Sequence, residues 1–273
     1  MKNIFLRTAF VVVLMSGAVL AAAQDNVQMI NIPLSNPCEP LTLEISIMSA
    51  HIEVIGENRE DVEFAVSAEE GSRKIITPSG TQNIKGAAYT LEVEENDNHI
   101  SVDTDWGRNK ITVIVRVPRN ENLDLSTTND GEIIVSNIQG ALELENTNGP
   151  ITATNIAGSV IAETVNATID VGFSSIDGSS AMSFSSINGD LIIGLPADAG
   201  VQLHLDSARG EIFSDFEVDV QPSKPIVERV DGRGRGRVQV RVENAIVANV
   251  NGGGSVIKLK TLNGDIQIRK SGN

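Results

Sequence analysis

The stretch SSINGDLIIGLP at residues 185–196 contains a motif that returns as TLNGDIQI at residues 261–268. In both places a polar turn with the sequence Asn-Gly-Asp leads into a run in which apolar residues occupy every second position. This alternation is the period-two pattern of a β-strand with one buried face. The repetition indicates that one turn-and-strand unit is used several times along the chain.

Further copies of this unit follow at regular spacing. When the chain is aligned on the apolar residue after each turn, the copies begin at Ile133, Ile151, Ile169, Leu191, Ile212 and Ile266. The position two residues earlier holds Gly131, Gly149, Ala167, Gly189, Gly210 and Gly264. The position before that holds Asp130, Asn148, Asn166, Asn188, Arg209 and Asn263. The intervals are 18, 18, 22 and 21 residues, and 54 residues precede the last copy.

A second turn lies midway between these copies, as NIQG at residues 137–140 and NIAG at residues 155–158. Asn and Gly tolerate a positive φ, so both turns are expected to be tight corners. Each period therefore holds two short strands, and one such coil cannot bury its apolar face alone. The sequence predicts an all-β protein, a right-handed parallel β-solenoid with coils of about 18–22 residues.

The first residues have the pattern of an export signal. Lys2 and Arg7 precede an apolar run over residues 9–20, and three alanines follow at residues 21–23. This order is typical of a secretory signal peptide, and the run is shorter than the roughly 20 residues that span a bilayer. We predict a signal peptide at residues 1–23, an exported protein in the periplasm, on the outer-membrane surface or outside the cell, and no transmembrane segment in the mature chain.

Residues 24–120 also alternate, for example in LTLEISIMSAHIEVIG at residues 41–56, but they lack the strict repeat. We predict a β-rich N-terminal cap over residues 24–120 that closes one end of the solenoid. The solenoid repeat region is predicted over residues 121–273.

The charge of the chain limits its partners. The formal net charge is −15, and removal of Lys2 and Arg7 with the signal peptide takes it to −17. Such a chain repels nucleic acid and anionic lipid, so neither is expected as a general partner. Cys38 is the only cysteine, and we expect a small buried or tolerated residue there instead of a nucleophile or an intermolecular bridge.

The column of turn residues admits two interpretations. Asn148, Asn166 and Asn188 are expected to lie above one another, with Asp130 and Asn263 in the same column. The column is either a metal site or a structural ladder in which side-chain amides bond from coil to coil. Calcium sites need several oxygens for each ion, and this column offers about one side chain for each coil. The ladder is therefore favoured, and no metal or cofactor is predicted.

A basic segment lies between the fifth and last copies. Arg233, Arg235, Arg237 and Arg241 share one parity, which places them on one face of an extended strand. One hypothesis is a binding site for an anionic glycan or lipid head group, because Arg matches carboxylate and phosphate. The favoured alternative is a solvated strand face that the acids of the chain itself neutralise.

Three stretches resemble a known family: residues 48–66 (MSAHIEVIGENREDVEFAV), 185–212 (from SSINGD to ARGEI) and 256–270 (VIKLKTLNGDIQIRK). They are similar to the DUF4097 putative adhesin family of bacterial exported proteins, which is related to autotransporter-type adhesin head domains. The resemblance implies a β-solenoid in the cell envelope or on the cell surface, and it implies no catalytic residues. Ala167 departs from the glycine of this pattern, which puts the geometry of its turn in question.

The chain shows few signs of catalysis. His51, His99 and His204 are far apart, and no metal-ligand or nucleophile motif is present. A β-helix enzyme that acts on acidic polysaccharide is the enzymatic alternative, with carboxylates from Asp170, Asp177, Asp190 and Asp206. Aromatic platforms for sugars are scarce, and we expect Phe173, Phe184 and Phe213 in the core.

The sequence therefore predicts a non-catalytic exported protein, an adhesin or a structural or interaction module of the envelope or surface. A periplasmic binding or signalling partner is a further alternative. The partner of the protein is predicted to be a surface glycan, an envelope component or another protein.

Overall fold

The computed structural model describes residues 27–37, 39–68, 91–104, 110–176, 181–221, 226–230, 237–241 and 245–271. The predicted signal peptide and Cys38 lie outside these residues. The described residues form 23 strands, with no helix among them. The prediction of an all-β protein is confirmed. This part of the chain accordingly holds no helix of the length and apolarity that would cross a membrane.

Sheet A contains the strands that begin at the aligned apolar residues of the repeat. It has ten strands, and their order across the sheet is β1 (Gln28–Pro33), β4 (Asp61–Ala68), β7 (Ile111–Pro118), β3 (Ala50–Glu57), β9 (Ile133–Ser136), β11 (Ile151–Ile156), β13 (Ile169–Phe173), β15 (Leu191–Leu195), β23 (Ile266–Lys270) and β17 (Ile212–Ser214).

Sheet B faces sheet A across the core. Its eleven strands are, in order, β18 (Val218–Gln221), β21 (Ile246–Val250), β16 (Val201–Ser207), β22 (Ser255–Thr261), β14 (Met182–Ser186), β12 (Val160–Thr164), β10 (Leu142–Asn146), β8 (Asn122–Thr127), β2 (Thr42–Ile47), β6 (His99–Thr104) and β5 (Leu91–Asn96). A separate antiparallel hairpin consists of β19 (Ile226–Val230) and β20 (Arg237–Arg241).

Each coil of the stack is one strand of sheet B followed by one strand of sheet A. Eight coils follow one another in the order β6–β7, β2–β3, β8–β9, β10–β11, β12–β13, β14–β15, β22–β23 and β16–β17. Neighbouring coils pair in parallel in both sheets. The prediction of a parallel β-solenoid is confirmed, and its right hand stays a prediction.

The order of the coils in space differs from their order in the chain at both ends. The coil β22–β23 is the last in the chain, yet it lies between β14–β15 and β16–β17. Ile266 is consequently the neighbour of both Leu191 and Ile212. At the other end β2–β3 precedes β6–β7 in the chain but lies inside it. The outermost coil is therefore not the terminal coil at either end.

The aligned apolar residues are neighbours on adjacent strands of sheet A. Ile133 pairs with Ile151, which pairs with Ile169, which pairs with Leu191. All of these side chains are fully buried, and the inward apolar positions of the sheet B strands that belong to the eight coils are buried as well. Burial of one such side chain contributes about 1.5–3 kcal/mol relative to exposure. Stacking thus makes one continuous core out of faces that a single coil would leave in water.

The residues before 120 take part in the same two sheets. Strands β2, β3, β6 and β7 supply two coils, so neither sheet is interrupted at residue 120. Beyond these coils β4 and β1 extend sheet A, and β5 extends sheet B, all with antiparallel pairing. At the opposite end β21 and β18 extend sheet B alone.

Two of the three expected core aromatics are buried. Phe173 and Phe184 meet edge to face with ring centroids 6.4 Å apart, which is a favourable geometry for an aromatic pair. The expectation is wrong for Phe213, which is 48% exposed. Phe213 pairs with the outward residue Gln267, so its side chain is on the solvent side of β17 and not in the core.

Candidate functional site

A ladder of side-chain amides runs along the corner where sheet B turns into sheet A. Nδ2 of Asn166 donates to Oδ1 of Asn148 at 2.7 Å, and Nδ2 of Asn188 donates to Oδ1 of Asn166 at 2.8 Å. Nδ2 of Asn263 donates to Oδ1 of Asn188 at 2.7 Å. Four coils are therefore joined by side chains in addition to the backbone of the sheets.

At its two ends the ladder bonds to groups other than asparagine side chains. Nη1 of Arg209 donates to Oδ1 of Asn263 at 3.1 Å, so an arginine ends the ladder at the outermost coil. At the other end Nδ2 of Asn148 donates to the carbonyl of Thr128 at 3.0 Å. Asp130, which occupies the aligned position in the sequence, has a φ of 47°. The carbonyl of Thr128 thus takes the place in the ladder that the alignment assigns to Asp130.

The glycines two residues before the aligned apolar residues, here called the glycine column, are required for a reason other than a positive φ. Gly131, Gly149, Gly189, Gly210 and Gly264 do not have a positive φ. A Cβ on Gly149 would lie 1.6 Å from the carbonyl oxygen of Gly131 in the preceding coil. These positions hold glycine because the backbones of neighbouring coils touch there. The positive φ values of the second turn belong to Asn137 and Asn155, at 60° and 56°.

Ala167 makes the same contact to the next coil as the glycines do. Its carbonyl accepts a hydrogen bond from Oγ of Ser186 at 3.2 Å, just as the carbonyl of Gly189 accepts one from Oγ1 of Thr261 at 2.9 Å. Ala167 is half-buried, whereas Gly149 and Gly189 are buried. Its turn therefore keeps the ladder bonding with a slightly more open surface.

A row of buried polar residues lies beside the glycines, and the sequence analysis did not single it out. Oγ1 of Thr164 donates to the carbonyl of Gly149 at 3.2 Å, and Nδ2 of Asn146 donates to that of Gly131 at 3.0 Å. Ser186, Thr261 and Ser207 repeat this contact in later coils. Their common signal is a polar residue at an inward position three residues before the glycine or Ala167.

A shallow groove crosses four coils next to this row. It encloses about 380 Å³, and its lining comes from strands β8, β10, β12 and β14 and from the turns that follow them. The floor is the buried polar row. One wall consists of outward residues at the ends of the strands, including Glu145 and Glu163. The other wall consists of residues in the turns, including Val165 and Ile187. The lining residues are Ser126, Thr127, Thr128, Glu145, Asn146, Thr147, Glu163, Thr164, Val165, Ser185 and Ile187.

The outer face of sheet B beside the groove is acidic. Glu44, Asp124 and Glu143 occupy neighbouring positions on β2, β8 and β10. Burial, and secondly the charge of Glu44, raise the pKa of the Asp124 carboxyl above its usual value. Strands β8, β10 and β12 contain no Lys or Arg. The first Lys or Arg along this face is on β22, where Lys260 lies 3.5 Å from a carboxylate oxygen of Asp206.

Two of the four arginines of the predicted face belong to the hairpin. Arg237 and Arg241 are the ends of β20 and pair with Val230 and Ile226 of β19. They occupy positions of the same parity. Arg233 and Arg235 lie outside the described residues.

The carboxylates considered for glycan cleavage are not brought together. Asp170 is at an outward position of sheet A, whereas Asp206 is at an outward position of sheet B. Burial raises the pKa of the Asp170 carboxyl, and the charge of Arg269 opposes this. Oδ1 of Asp190 accepts the backbone N–H of Asp265 at 2.8 Å, which is a structural role. Asp177 lies outside the described residues.

The three histidines are also separate. His51 lies 3.5 Å from Glu132 on sheet A, and His99 lies 3.2 Å from Glu44 on sheet B. His204 contacts Gln202 at 3.2 Å on β16. Among the residues that the structure describes, no group of three or more His, Cys, Asp or Glu is placed to hold a metal ion.

The solved structures that are similar to this chain include two that cover about nine tenths of it. One is a putative cell adhesion protein from Clostridium sporogenes ATCC 15579, with 13% identity and a TM-score of 0.48 over 90% of this chain and 100% of that one. The other is a putative adhesin from Bacteroides fragilis NCTC 9343, with 10% identity and a TM-score of 0.36 over 89% of this chain and 96% of that one. At these values neither carries an argument about the function of this chain. No family model and no curated protein matches it, so membership of the DUF4097 family stays a prediction from the motifs.

Proposed function

We propose that the protein is an exported, non-catalytic module that presents a long regular surface in the cell envelope or on the cell surface, for adhesion or for envelope organisation. The observation that carries this proposal is the stack itself. Eight coils stack in parallel, with a register shift only between β11 and β13 among the described coil pairs, so most outward side chains belong to rows that continue across neighbouring coils. A surface of this kind suits an extended partner such as a glycan, an envelope component or another protein.

The rigidity of the stack supports the same role. Backbone pairing in both sheets is supplemented by the asparagine ladder and by the buried polar row. Such cross-linking stabilises a rod, because each coil is bonded to both of its neighbours. A rod with short turns resists unfolding and proteolysis, which is what an exported protein without a disulfide needs.

The enzymatic alternative has weaker support. A glycosidase requires two carboxyl groups about 5–10 Å apart beside one bond of the substrate. Asp170 and Asp206 lie on opposite sheets, and Asp190 is engaged in the turn. The proposal therefore assigns no catalytic residue.

Protease shaving of intact and permeabilised cells tests the location. We expect a protein that carries an added protease site between β4 and β5 to be cleaved on intact cells at a protease dose that leaves a soluble periplasmic marker uncleaved. The added site, placed within residues 69–90 of the chain, is needed as a reporter because stacked coils resist proteolysis. Protection of that reporter until permeabilisation would restrict the protein to the periplasm and replace adhesion by the periplasmic binding or signalling role.

A further inference from the structure

The side chains of the groove that are available to a ligand lie on its walls. Its floor is engaged, because Asn146 and Thr164 donate to glycine carbonyls of the preceding coils. One wall carries the carboxylates of Glu145 and Glu163, which lie opposite each other on β10 and β12. The other wall carries Val165 and Ile187. A ligand that matches both walls has cationic groups on one side and hydrocarbon on the other.

Arginine side chains have this combination. Their hydrocarbon stems pack along apolar surface while the guanidinium stays with a carboxylate or with water. Within the described part of the chain no Lys, Arg or His lies at ion-pair distance from Glu145 or Glu163. The neighbouring Asp124 and Glu143 extend the negative charge along the same face. The groove therefore favours an arginine-bearing segment.

The chain itself carries such a segment. Although the protein is strongly acidic, residues 232–242 read GRGRGRVQVRV and contain four arginines and no acid. Three of the arginines are two residues apart, so an extended backbone places them on one side. Residues 233–237 span about 13 Å when extended, and the groove crosses three strand spacings, about 14 Å. The segment has the length and the charge that the groove requires.

We propose that residues 233–241 of one copy lie in the groove of a second copy. The groove is on the middle coils, whereas β20 belongs to the hairpin between β18 and β21 at one end of the stack. The two contact regions of one chain are thus different, and the association is head to tail, which leaves a free groove and a free segment at the ends of each assembly. This self-association does not depend on where the protein is located in the cell.

Sedimentation velocity of the purified protein over a concentration series tests the proposal. We expect wild type to associate at low ionic strength and to dissociate as salt is raised, because the contact is between charges. Two variants interrupt it from opposite sides: Glu145→Gln with Glu163→Gln in the groove, and Arg233, Arg235, Arg237 and Arg241→Gln in the segment. Each should weaken association about tenfold or more, as expected for the loss of two or more charge pairs.

A mixing experiment identifies the two surfaces as partners. The groove variant retains an intact segment, and the segment variant retains an intact groove. At a concentration at which wild type associates and the weakened variants do not, each variant alone should be monomeric, and their mixture should form a one-to-one complex. The matched control is Glu92→Gln with Glu94→Gln on β5, which changes the net charge by the same amount on the same sheet and should associate like wild type.

Three results would overturn the proposal. Wild type that stays monomeric at all concentrations at low salt would exclude a second copy as the occupant. A mixture that stays monomeric would show that the groove and the segment are not partners. A control variant that loses association as strongly as the groove variant would assign the effect to net charge alone.

Discussion

Nδ2 of Asn263 donates a 2.7 Å hydrogen bond to Oδ1 of Asn188, a residue that lies 75 positions earlier in the chain. The two residues occupy the same place in the two copies of the Asn-Gly-Asp motif. Their contact exists because the last coil of the chain inserts beside β14–β15. The two copies of the repeated motif therefore lie in adjacent coils of the stack.

The asparagine ladder should contribute measurably to stability. Asn166 both donates to Asn148 and accepts from Asn188, so Asn166→Ala removes two hydrogen bonds. We expect the free energy of unfolding to fall by about 1–3 kcal/mol, the net value of two such bonds. Urea unfolding followed by circular dichroism measures this. The control is Asn129→Ala, because Asn129 contacts Ser49 and Met48 only through its backbone. Equal unfolding midpoints for the two variants would contradict the ladder's contribution.

The close approach of the coils predicts a contrast between two glycines. Gly149→Ala places a Cβ against the carbonyl of Gly131, and relief of this clash requires the coils to move apart. We expect a loss of about 1–3 kcal/mol, as for other overpacked positions. Gly172→Ala is the matched change on β13, where the nearest atom to the new Cβ is 4.0 Å away.

Gly172→Ala should be neutral or slightly stabilising, since it mainly restricts the unfolded chain. Thermal unfolding of both variants under one set of conditions is sufficient for the comparison. A Gly149→Ala protein as stable as Gly172→Ala would refute the explanation of the glycine column.

The buried polar row predicts a cost for removing a single hydroxyl group. Thr261 is buried, and its Oγ1 donates to the carbonyl of Gly189 at 2.9 Å. Thr261→Val keeps the shape of the side chain but leaves that carbonyl without this donor. We expect a loss of about 1–3 kcal/mol. Thr152→Val, on the outer side of β11, is the control and should change the urea midpoint little. If both variants unfold at the same urea concentration, the row is dispensable.

A buried carboxyl group predicts a pH dependence. Glu121 lies just before β8, is buried, and accepts the backbone N–H of Leu41. Burial raises the pKa of its carboxyl above the usual value of 4.5, and the hydrogen bond from Leu41 opposes this. The folded chain therefore holds this proton more tightly than the unfolded chain. The contribution of Glu121 to the free energy of unfolding falls as the pH rises from about 4.5 through the raised folded-state pKa.

Glu121→Gln keeps an oxygen acceptor for Leu41 and has no proton to lose. We expect its urea midpoint to be less sensitive to pH in that window than the midpoint of wild type, and to be higher than wild type above it. The control is Glu143→Gln, which removes an exposed carboxylate from β10. A pH profile for Glu121→Gln that parallels wild type across the window would contradict the assigned cause.

Much of the local structure could be predicted because it depends on short-range patterns. Alternation of apolar residues determines which side chains of a strand face inward, and this is independent of what the strand pairs with. The pairing of Ile133, Ile151, Ile169 and Leu191 follows from equal positions in a repeated unit. The same reasoning places Asn148, Asn166 and Asn188 in one column, where hydrogen bonds join them.

Other features could not be derived from local patterns. The cause of the glycine column was misassigned to φ, because the carbonyl that excludes a Cβ at Gly149 belongs to another coil. The exposure of Phe213 was missed for a different reason: it follows the aligned residue Ile212 by one position, so alternation already places it on the outward side of β17. The groove has no linear motif, since four coils each contribute two or three residues to it.

The sequence by itself determined the period, the strands and the inward and outward side of each coil, because these depend on residues that are neighbours in the chain. Only the tertiary structure decided the order in which the coils stack. Every coil presents nearly the same apolar rows and the same free backbone edge, so many orders satisfy the pattern equally well. The crossover from β21 over the end of β16, where Gly200 and Gly254 come into backbone contact, carries β22 into the interior of the stack. That placement joins Asn188 to Asn263.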